Sequence, residues 1–446
     1  MSELIISVSG LRGIVGETLT PAIACQFVAA YAEQLPAGLI VVGRDGRSSG
    51  VMLKAAIMSA LTACGRDVID ADVAATPTIG VLVKKLNAAG AVQISASHNP
   101  PPYNGIKLFG SDGRVLDGKT GAKIRDAYFE NSGDWCSFEN IGTTCSEPDP
   151  HQSHLDSVLA TVNVDAIKAA KHRVLIDSNH GAGSMLGKRL LEALGCEVVA
   201  VGDTPDGNFA HVPEPTAENL QGIAERVRQE KCAVGFCQDP DADRLALVDA
   251  DGRYIGEEYT LALCVQLAMS QESTRGPIVI NGATSGMSER LAADAGVDCH
   301  RSAVGEANVA DMMIANKATY GGEGNGGPID PRVGYVRDSF VGMAQVLELM
   351  TQTSKTLAEL ADELPKLHIH KTKASVSADA LVQLIDKLQA KHSDAKATTG
   401  DGLRLSWPGK WLLVRGSNTE PIVRLIAEAD TAAEAQALCD DAAKLI

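Results

Sequence analysis

Ser97 stands in the run Ser95-Ala96-Ser97-His98-Asn99-Pro100-Pro101-Pro102, directly after an apolar stretch from Ala88 to Ile94. That stretch reads as a buried strand, and a serine beside a histidine in a turn stiffened by prolines is placed for nucleophilic chemistry. Taken alone, the same residues can equally serve to satisfy turn backbone groups. Far downstream, Asp239, Asp241 and Asp243 alternate within Gln238-Asp239-Pro240-Asp241-Ala242-Asp243-Arg244, between the apolar segments 233–236 and 245–248. Three carboxylates at alternate positions between two strands can converge on one hard cation, because oxygen ligands suit magnesium and calcium. A calcium loop of the EF-hand type would carry glycine and glutamate where this chain has Arg244 and Ala250. Magnesium is therefore the expected ion, against the plainer reading of an exposed acidic turn.

Two further clusters follow. In Gly321-Gly322-Glu323-Gly324-Asn325-Gly326-Gly327, glycines allow close backbone approach while Glu323 and Asn325 offer an acceptor and a mixed donor/acceptor, a pair suited to vicinal sugar hydroxyls. Arg415-Gly416-Ser417-Asn418-Thr419-Glu420-Pro421, with Arg424, combines guanidinium groups, hydroxyls, an amide and backbone N–H groups into a phosphate pocket. Each of these is by itself also an ordinary turn. Arg12, between Gly10 and Gly13, lies in a loop that can reach the serine, and Lys107, just beyond the serine loop, offers a second positive charge or a proton shuttle. His98 is the candidate base by proximity, but adjacent side chains in an extended segment point apart, which gives it a supporting place.

The elements that must position these groups follow from pattern. With 446 residues, 45% of them hydrophobic, the chain should divide into several domains. Forty Lys+Arg against 56 Asp+Glu give a formal charge of −16, which argues against sequence-independent binding to nucleic acid or to an anionic membrane. An anionic ligand must then be held by particular arginines and backbone amides. The 10 cysteines form no C-x-x-C pair, so neither a zinc ribbon nor a disulfide framework is indicated. No basic leader precedes an apolar run, and no apolar segment is long enough to span a bilayer. The expectation is a soluble cytoplasmic protein with small-molecule partners, no nucleic acid and no membrane.

Three segments, Leu39 to Pro77, Val174 to Pro205 and Ile278 to Gly305, repeat one order: β-branched strand, Gly/Ser-rich turn, helix, glycine, second strand. This predicts three tandem, topologically similar α/β domains. From His368 onward a strand, a helix near Ala380 to Gln389, strands around Leu403 and from Trp411 to Arg415, and a helix from Ala432 predict a small α+β domain. Loop-like stretches place the domains at 1–148, 149–250, 251–366 and 367–446.

With four motifs in this order, the chain resembles the α-D-phosphohexomutases, the superfamily of phosphoglucomutases, phosphomannomutases and phosphoglucosamine mutases, and most of all the archaeal-like phosphoglucosamine mutases. The resemblance covers essentially the full length and implies four domains, with mixed sheets, around a central cleft. It implies that Ser97 carries a phosphoryl group and that Asp239, Asp241 and Asp243 hold Mg²⁺ together with an oxygen of that group. A phosphoserine brings about −1.5 to −2 of charge, which the cation, Arg12 and Lys107 would offset. Arg244 would assist beside the metal, Glu323 and Asn325 would hold ring hydroxyls, and Arg415, Ser417, Asn418, Thr419 and Arg424 the distal phosphate. The implied reaction interconverts hexose 6-phosphate and hexose 1-phosphate through a 1,6-bisphosphate, which also serves as activator. The family's sugar loop commonly reads Glu-x-Ser-Gly, whereas here Asn325 takes the serine position and Gly327 stands where histidine is frequent. Glu306, in Ala303-Val304-Gly305-Glu306-Ala307-Asn308-Val309, resembles the acidic position of phosphoglucosamine mutases, where a carboxylate can pair with a 2-ammonium group. The resemblance thus implies glucosamine 6-phosphate as substrate, with a broad phosphoglucomutase/phosphomannomutase or a silent sugar-phosphate binder as alternatives, and a monomer or homodimer.

Overall fold

The computed structural model describes residues 4–7, 10–416 and 422–446. Its strands fall into four sheets. The first contains β1 (Ile5–Ser7), β2 (Gly10–Ile14), β3 (Ile40–Arg44), β4 (Val68–Val73), β5 (Gly90–Ile94), β6 (Tyr103–Gly110) and β7 (Thr144–Ser146), in the order β1-β2-β6-β5-β3-β4-β7. The second contains β8 (Arg173–Asp177), β9 (Glu197–Val201), β10 (Val234–Gln238) and β11 (Leu245–Asp249). The third contains β12 (Ile278–Asn281), β13 (Cys299–Ser302), β14 (Tyr320–Glu323) and β15 (Gly327–Ile329).

The repeated sequence order appears as one topology used three times. β3 pairs in parallel with β4 and β5, and β5 returns antiparallel into β6. β8 does the same with β9, β10 and β11, and β12 with β13, β14 and β15. Parallel neighbours need a crossover, and helices Ser49–Ala63, Gly187–Ala193 and Met287–Asp294 supply the first one in each unit. Each ends before a glycine of positive φ, Gly65, Gly195 and Gly296, the conformation that closes a helix without a Cβ clash. Helices Thr76–Leu86, Gln221–Gln229 and Glu306–Ala315 supply the second crossover. Strands β5, β8, β10, β12 and β14 are almost entirely buried, as strands covered on both faces must be.

The fourth sheet is antiparallel throughout: β16 (His368–Ser375), β17 (Lys396–Gly400), β18 (Gly402–Trp407), β19 (Lys410–Gly416) and β20 (Ile422–Ala429), in the order β16-β20-β19-β18-β17. Helices Ala378–Lys391 and Ala432–Ala443 cover one face, where Leu403, Leu405, Leu412, Val414 and Leu425 are buried. Two strands had no place in the pattern reading. β17 is polar and exposed along its length, so it carries no apolar signal. β20 is covered on both faces, because Trp411, Leu413 and Ile426 pack against Ala283 and Val304 of the third unit, and its run Leu425-Ile426-Ala427 does not alternate.

This topology puts the serine loop between β5 and β6, the aspartate loop between β10 and β11, and the Gly324–Gly326 turn between β14 and β15, the same position in each unit. The units dock there: Leu245 N donates to Gly326 O (2.8 Å), and Thr76 N to Asp241 O (3.0 Å). Gly326 has φ of +80°, and a Cβ on it would lie 2.2 Å from Leu245 O. Gly326→Ala is therefore expected to cost about 1–3 kcal/mol of stability, read as a lowered urea midpoint; an unchanged midpoint would mean that this docking is dispensable.

Candidate active site

Ser97 holds φ of +50°, a left-handed conformation that a residue with a side chain keeps only when its surroundings impose it. The imposition is visible. Ser97 N donates to Ser95 Oγ (2.9 Å), and Ser95 Oγ donates to Asp45 Oδ2 (2.7 Å). Arg47 Nε donates to the same Asp45 oxygen (3.0 Å), and its Nη atoms donate to the carbonyl oxygens of Ser97 (2.7 Å), Asn99 (2.7 Å), Pro100 (3.0 Å) and Tyr103 (3.1 Å). This guanidinium is 2% exposed and lies 4.9 Å over the ring of Phe209 from the second unit. Asp45 and Arg47 carried no role in the sequence reading, which saw their segment only as a polar turn. The available signal was an acid and a base two apart at the end of a strand in the serine's own sheet.

Ser97 Oγ donates to Asp239 Oδ2 (2.8 Å), and Asp239 Oδ1 accepts Arg244 N (3.1 Å). Asp241 Oδ2 accepts Thr76 Oγ1 (2.6 Å) and Lys107 Nζ (2.6 Å). Asp243 Oδ2 accepts Lys107 Nζ (3.0 Å) and Arg337 Nη2 (2.6 Å). All three aspartates are fully buried, one carboxylate oxygen from each lies within 4.8 Å of the others, and Asp241 Oδ1 and Asp243 Oδ1 have no hydrogen-bond partner. An orphaned buried acceptor costs about 1–3 kcal/mol, a cost that a hard cation removes. The all-oxygen donor set fits such an ion.

Burial, together with the charges of Asp241 and Asp243, pushes the Asp239 carboxyl well above its ordinary value. Burial also acts on Asp241, but Lys107 and the Thr76 hydroxyl outweigh it and hold that carboxyl low. For Lys107 burial is overcome by Asp241 and Asp243, so the amine stays charged, a fixed cation more than a proton shuttle. His98 Nδ1 lies 3.3 Å from Ser97 Oγ, yet Arg244, burial and Arg12 hold the imidazole down to about 2, neutral at physiological pH. Arg12 Nη1 donates to Asn99 Oδ1 (2.7 Å), which places this arginine on the serine loop. Arg244 Nε is buried without a hydrogen-bond partner, 3.9 Å from Asp243 Oδ1.

On the third unit, Glu323 Oε1 accepts Asn281 Nδ2 (2.7 Å) and Gly305 N (3.0 Å), and its Oε2 accepts Arg337 Nη1 (2.9 Å). Asn325 Oδ1 is buried and unpartnered. Glu306, read from sequence as a carboxylate able to pair with a 2-ammonium group, is engaged within the fold: its Oε1 accepts Arg337 N (2.6 Å), and its Oε2 lies 3.8 Å from Arg337 Nε. Arg337 itself went unremarked in the sequence, where nothing local marks its three acidic partners. The next residue, Asp338, caps helix Ser339–Thr353 and accepts from buried His154 Nε2 (2.7 Å), while Ser339 Oγ donates to Ala242 O (2.7 Å).

On the fourth unit, Arg424 lies in β20 opposite both Arg415 and Lys373, three cations in one cross-strand row. Like charges so placed repel unless an anion joins them. Arg415 Nε donates to Asp401 Oδ1 (3.1 Å), whose Oδ2 accepts Val304 N (2.8 Å) beside Glu306. Ser417, Asn418 and Thr419 lie outside the described residues.

Four family models match the chain in succession: phosphoglucomutase/phosphomannomutase alpha/beta/alpha domain I over residues 4–134, domain II over 152–252, domain III over 256–368, and the C-terminal domain over 372–445. A phosphoglucomutase/phosphomannomutase of Thermococcus kodakarensis is 38% identical over 445 residues, 98% of this chain and 97% of that protein. A phosphoglucosamine/phosphogalactosamine mutase of Sulfurisphaera tokodaii is 32% identical over 444 residues, 98% of each. The crystal structure of a phosphoglucomutase/phosphomannomutase family protein from Burkholderia thailandensis superimposes with a TM-score of 0.85 at 27% identity, covering 99% of this chain and 96% of that one.

Two outcomes follow from the geometry. Arg47→Ala strands the buried Asp45 carboxylate and frees four carbonyls, so it should destabilise the protein by about 3–5 kcal/mol, read in urea unfolding; a loss below about 1 kcal/mol would remove Arg47 as the clamp. Glu257, the first residue of helix Glu257–Ser270, has an unpartnered buried Oε1, and burial lifts its carboxyl from 4.5 to about 7 against the pull of Arg244. The native state then keeps a proton that the unfolded chain releases, so stability falls as pH rises between those two values, by on the order of 3 kcal/mol in all. Glu257→Gln should flatten that part of the stability profile, and an identical pH slope in both proteins would count against it.

Proposed function

The chain belongs to the phosphoglucomutase/phosphomannomutase family and is a phosphomutase, an isomerase of hexose phosphates, and we propose that it works by shuttling a phosphoryl group through Ser97. The observation that carries this reading is a serine pinned in a left-handed conformation with its Oγ 2.8 Å from Asp239, in a group of buried aspartates with orphaned oxygens. Phosphorylated Ser97 gives its group to the free hydroxyl of a hexose phosphate. The resulting 1,6-bisphosphate turns over in the cleft, and Ser97 Oγ takes back the other phosphate. A hexose 1,6-bisphosphate would also load Ser97 as activator.

Asp239, Asp241 and Asp243 would hold Mg²⁺, which when bound supplies positive charge to the transferring phosphoryl group. Lys107, Arg12 and Arg244 add fixed cations around the same point. Arg415 and Arg424 would take the distal phosphate, with Lys373 beside them and Ser417, Asn418 and Thr419 completing the pocket. Glu323 and the unpartnered Asn325 Oδ1 would accept ring hydroxyls.

Two substrate readings have support. Neutral hexoses, glucose and mannose phosphates, are favoured by the guanidinium of Arg337, which already occupies Glu306 and Glu323, and by the name of the 38% identical relative. Glucosamine 6-phosphate is favoured by the carboxylate of Glu306 and by the amino-sugar mutase of Sulfurisphaera tokodaii. The proposal includes domain limits after residues 148, 250 and 366, each between two sheets, a monomer or homodimer, and a cytoplasmic location, for which ten unpaired cysteines speak. No helix among the described residues is long and apolar enough to cross a membrane.

Phosphorus NMR of the protein with Mg²⁺ and glucose 1,6-bisphosphate, given glucosamine 6-phosphate, glucose 1-phosphate and mannose 1-phosphate separately, tests the reading. Isomer formation should appear, cease with EDTA and return with Mg²⁺, and Ser97→Ala should lower it by at least about 10³-fold. Undiminished turnover by Ser97→Ala would refute the phosphoserine route. Release of inorganic phosphate without isomer would make the protein a phosphatase, and no turnover of any hexose phosphate a silent binder.

A further inference from the structure

Arg337 joins three carboxylates from three elements: Asp243 of the loop between β10 and β11, Glu323 at the end of β14 and Glu306 at the head of helix Glu306–Ala315. Its Nη2 donates to Asp243 (2.6 Å), its Nη1 to Glu323 (2.9 Å) and its backbone N to Glu306 Oε1 (2.6 Å). One side-chain nitrogen has no partner at all: Nε is buried without a hydrogen bond. It lies 3.8 Å from Glu306 Oε2, close enough for an ion pair and too far for a hydrogen bond. An unpartnered donor and a carboxylate oxygen thus lie 3.8 Å apart in the cluster that holds Glu323.

A hydroxyl satisfies both groups, accepting from Nε and donating to Oε2. An ammonium group has three donors and no acceptor, so it can satisfy Glu306 only, leaves Nε orphaned and sets a second positive charge beside the guanidinium. The guanidinium cannot swing aside without cost. Its two Nη atoms are bonded to buried carboxylates, Glu323 is itself pinned by Asn281 and Gly305, and the backbone is fixed by Asp338 at the head of helix Ser339–Thr353.

We propose that Arg337 is a specificity-determining residue of this mutase: with Glu306 it reads a neutral ring hydroxyl, and its charge selects against a 2-amino sugar. The inference rests on the reading that the Glu323 side of the cleft receives the sugar ring. A lysine would preserve the charge but not the forked reach to Asp243 and Glu323. Loss of charge and loss of packing are therefore separable.

The test is kcat/KM for glucosamine 6-phosphate and for glucose 1-phosphate, measured with Mg²⁺ and glucose 1,6-bisphosphate on the native protein, Arg337→Gln, Arg337→Lys and Glu306→Gln. Arg337→Gln should raise the amino-to-neutral ratio by at least about tenfold, mainly through a lower KM for the amino sugar, and Arg337→Lys should leave the ratio within about threefold of native while lowering both rates. Should Arg337→Gln fail to fold, Glu306→Gln decides: the carboxylate is the only group of the pair that an ammonium can satisfy, so its loss should lower the amino-to-neutral ratio by about tenfold, whatever it does to the neutral rate. Parallel losses on both substrates in Arg337→Gln, or in Glu306→Gln, would make these residues structural and overturn the proposal. If the native protein turns over no hexose phosphate, the mutase reading falls first and this inference with it, so the two failures are told apart by the native protein alone.

Discussion

Three buried aspartates within 4.8 Å of one another repel, and the arrangement of the first three units is what contains that repulsion. Each supplies a group to the same loop. The first sends Lys107 from β6 and Thr76 from the head of a crossover helix, and the third sends Arg337. The loop's own Arg244 adds a backbone bond to Asp239. Removing any one contributor leaves a carboxylate buried with less compensation, a costly state in a low-dielectric interior. The docking of the units and the charge state of the site are thus one interaction seen at two scales.

The topology explains why these groups meet. In each unit the first and third strands are parallel neighbours, so their C-terminal ends lie side by side, where open α/β sheets collect ligands. The third strand carries the chemistry loop in all three units, and the end of the first strand supports it. Asp45 after β3 holds Ser95, Ser178 after β8 donates to Gln238 Oε1, and Asn281 at the end of β12 holds Glu323. The second crossover helices repeat the theme, since Thr76 and Glu306 are both first residues of such helices and both turn toward the site.

Legibility from sequence follows the same divide. The serine, aspartate and sugar loops were readable because each packs its chemistry into seven or eight consecutive residues between apolar strands. Glycines at helix ends made the repeats readable too. Asp45, Arg47, Thr76, Asp401 and Arg337 were not, because their meaning lies in partners tens to hundreds of residues away: Thr76 is 165 residues from Asp241, and Arg337 is 94 from Asp243. Glu306 was readable as an acid near the sugar side, but its neighbour across the fold was hidden, and with it the difference between a free and an engaged carboxylate. β20 escaped because a strand buried on both faces loses the alternation that announces a strand.

The fourth unit is attached differently, and the difference bears on the proposed transfer at both ends of a sugar. Glu428, buried between the third and fourth sheets, accepts Ser285 Oγ, Gly286 N and Trp411 Nε1, while Asp401 ties Arg415 to the backbone of Val304. These bonds fix the row of Lys373, Arg424 and Arg415 relative to the third unit, and the row is basic where the aspartate loop is acidic. On the proposed mechanism, a bisphosphate held with one phosphate on that row would present its other phosphate to Ser97. Turned end for end, it would meet the same two surfaces, because neither arginine nor lysine distinguishes one phosphate ester from the other. Discrimination among sugars would then fall to other groups, and the guanidinium of Arg337 and the carboxylates of Glu306 and Glu323, which meet in one hydrogen-bonded cluster, are the groups proposed for it.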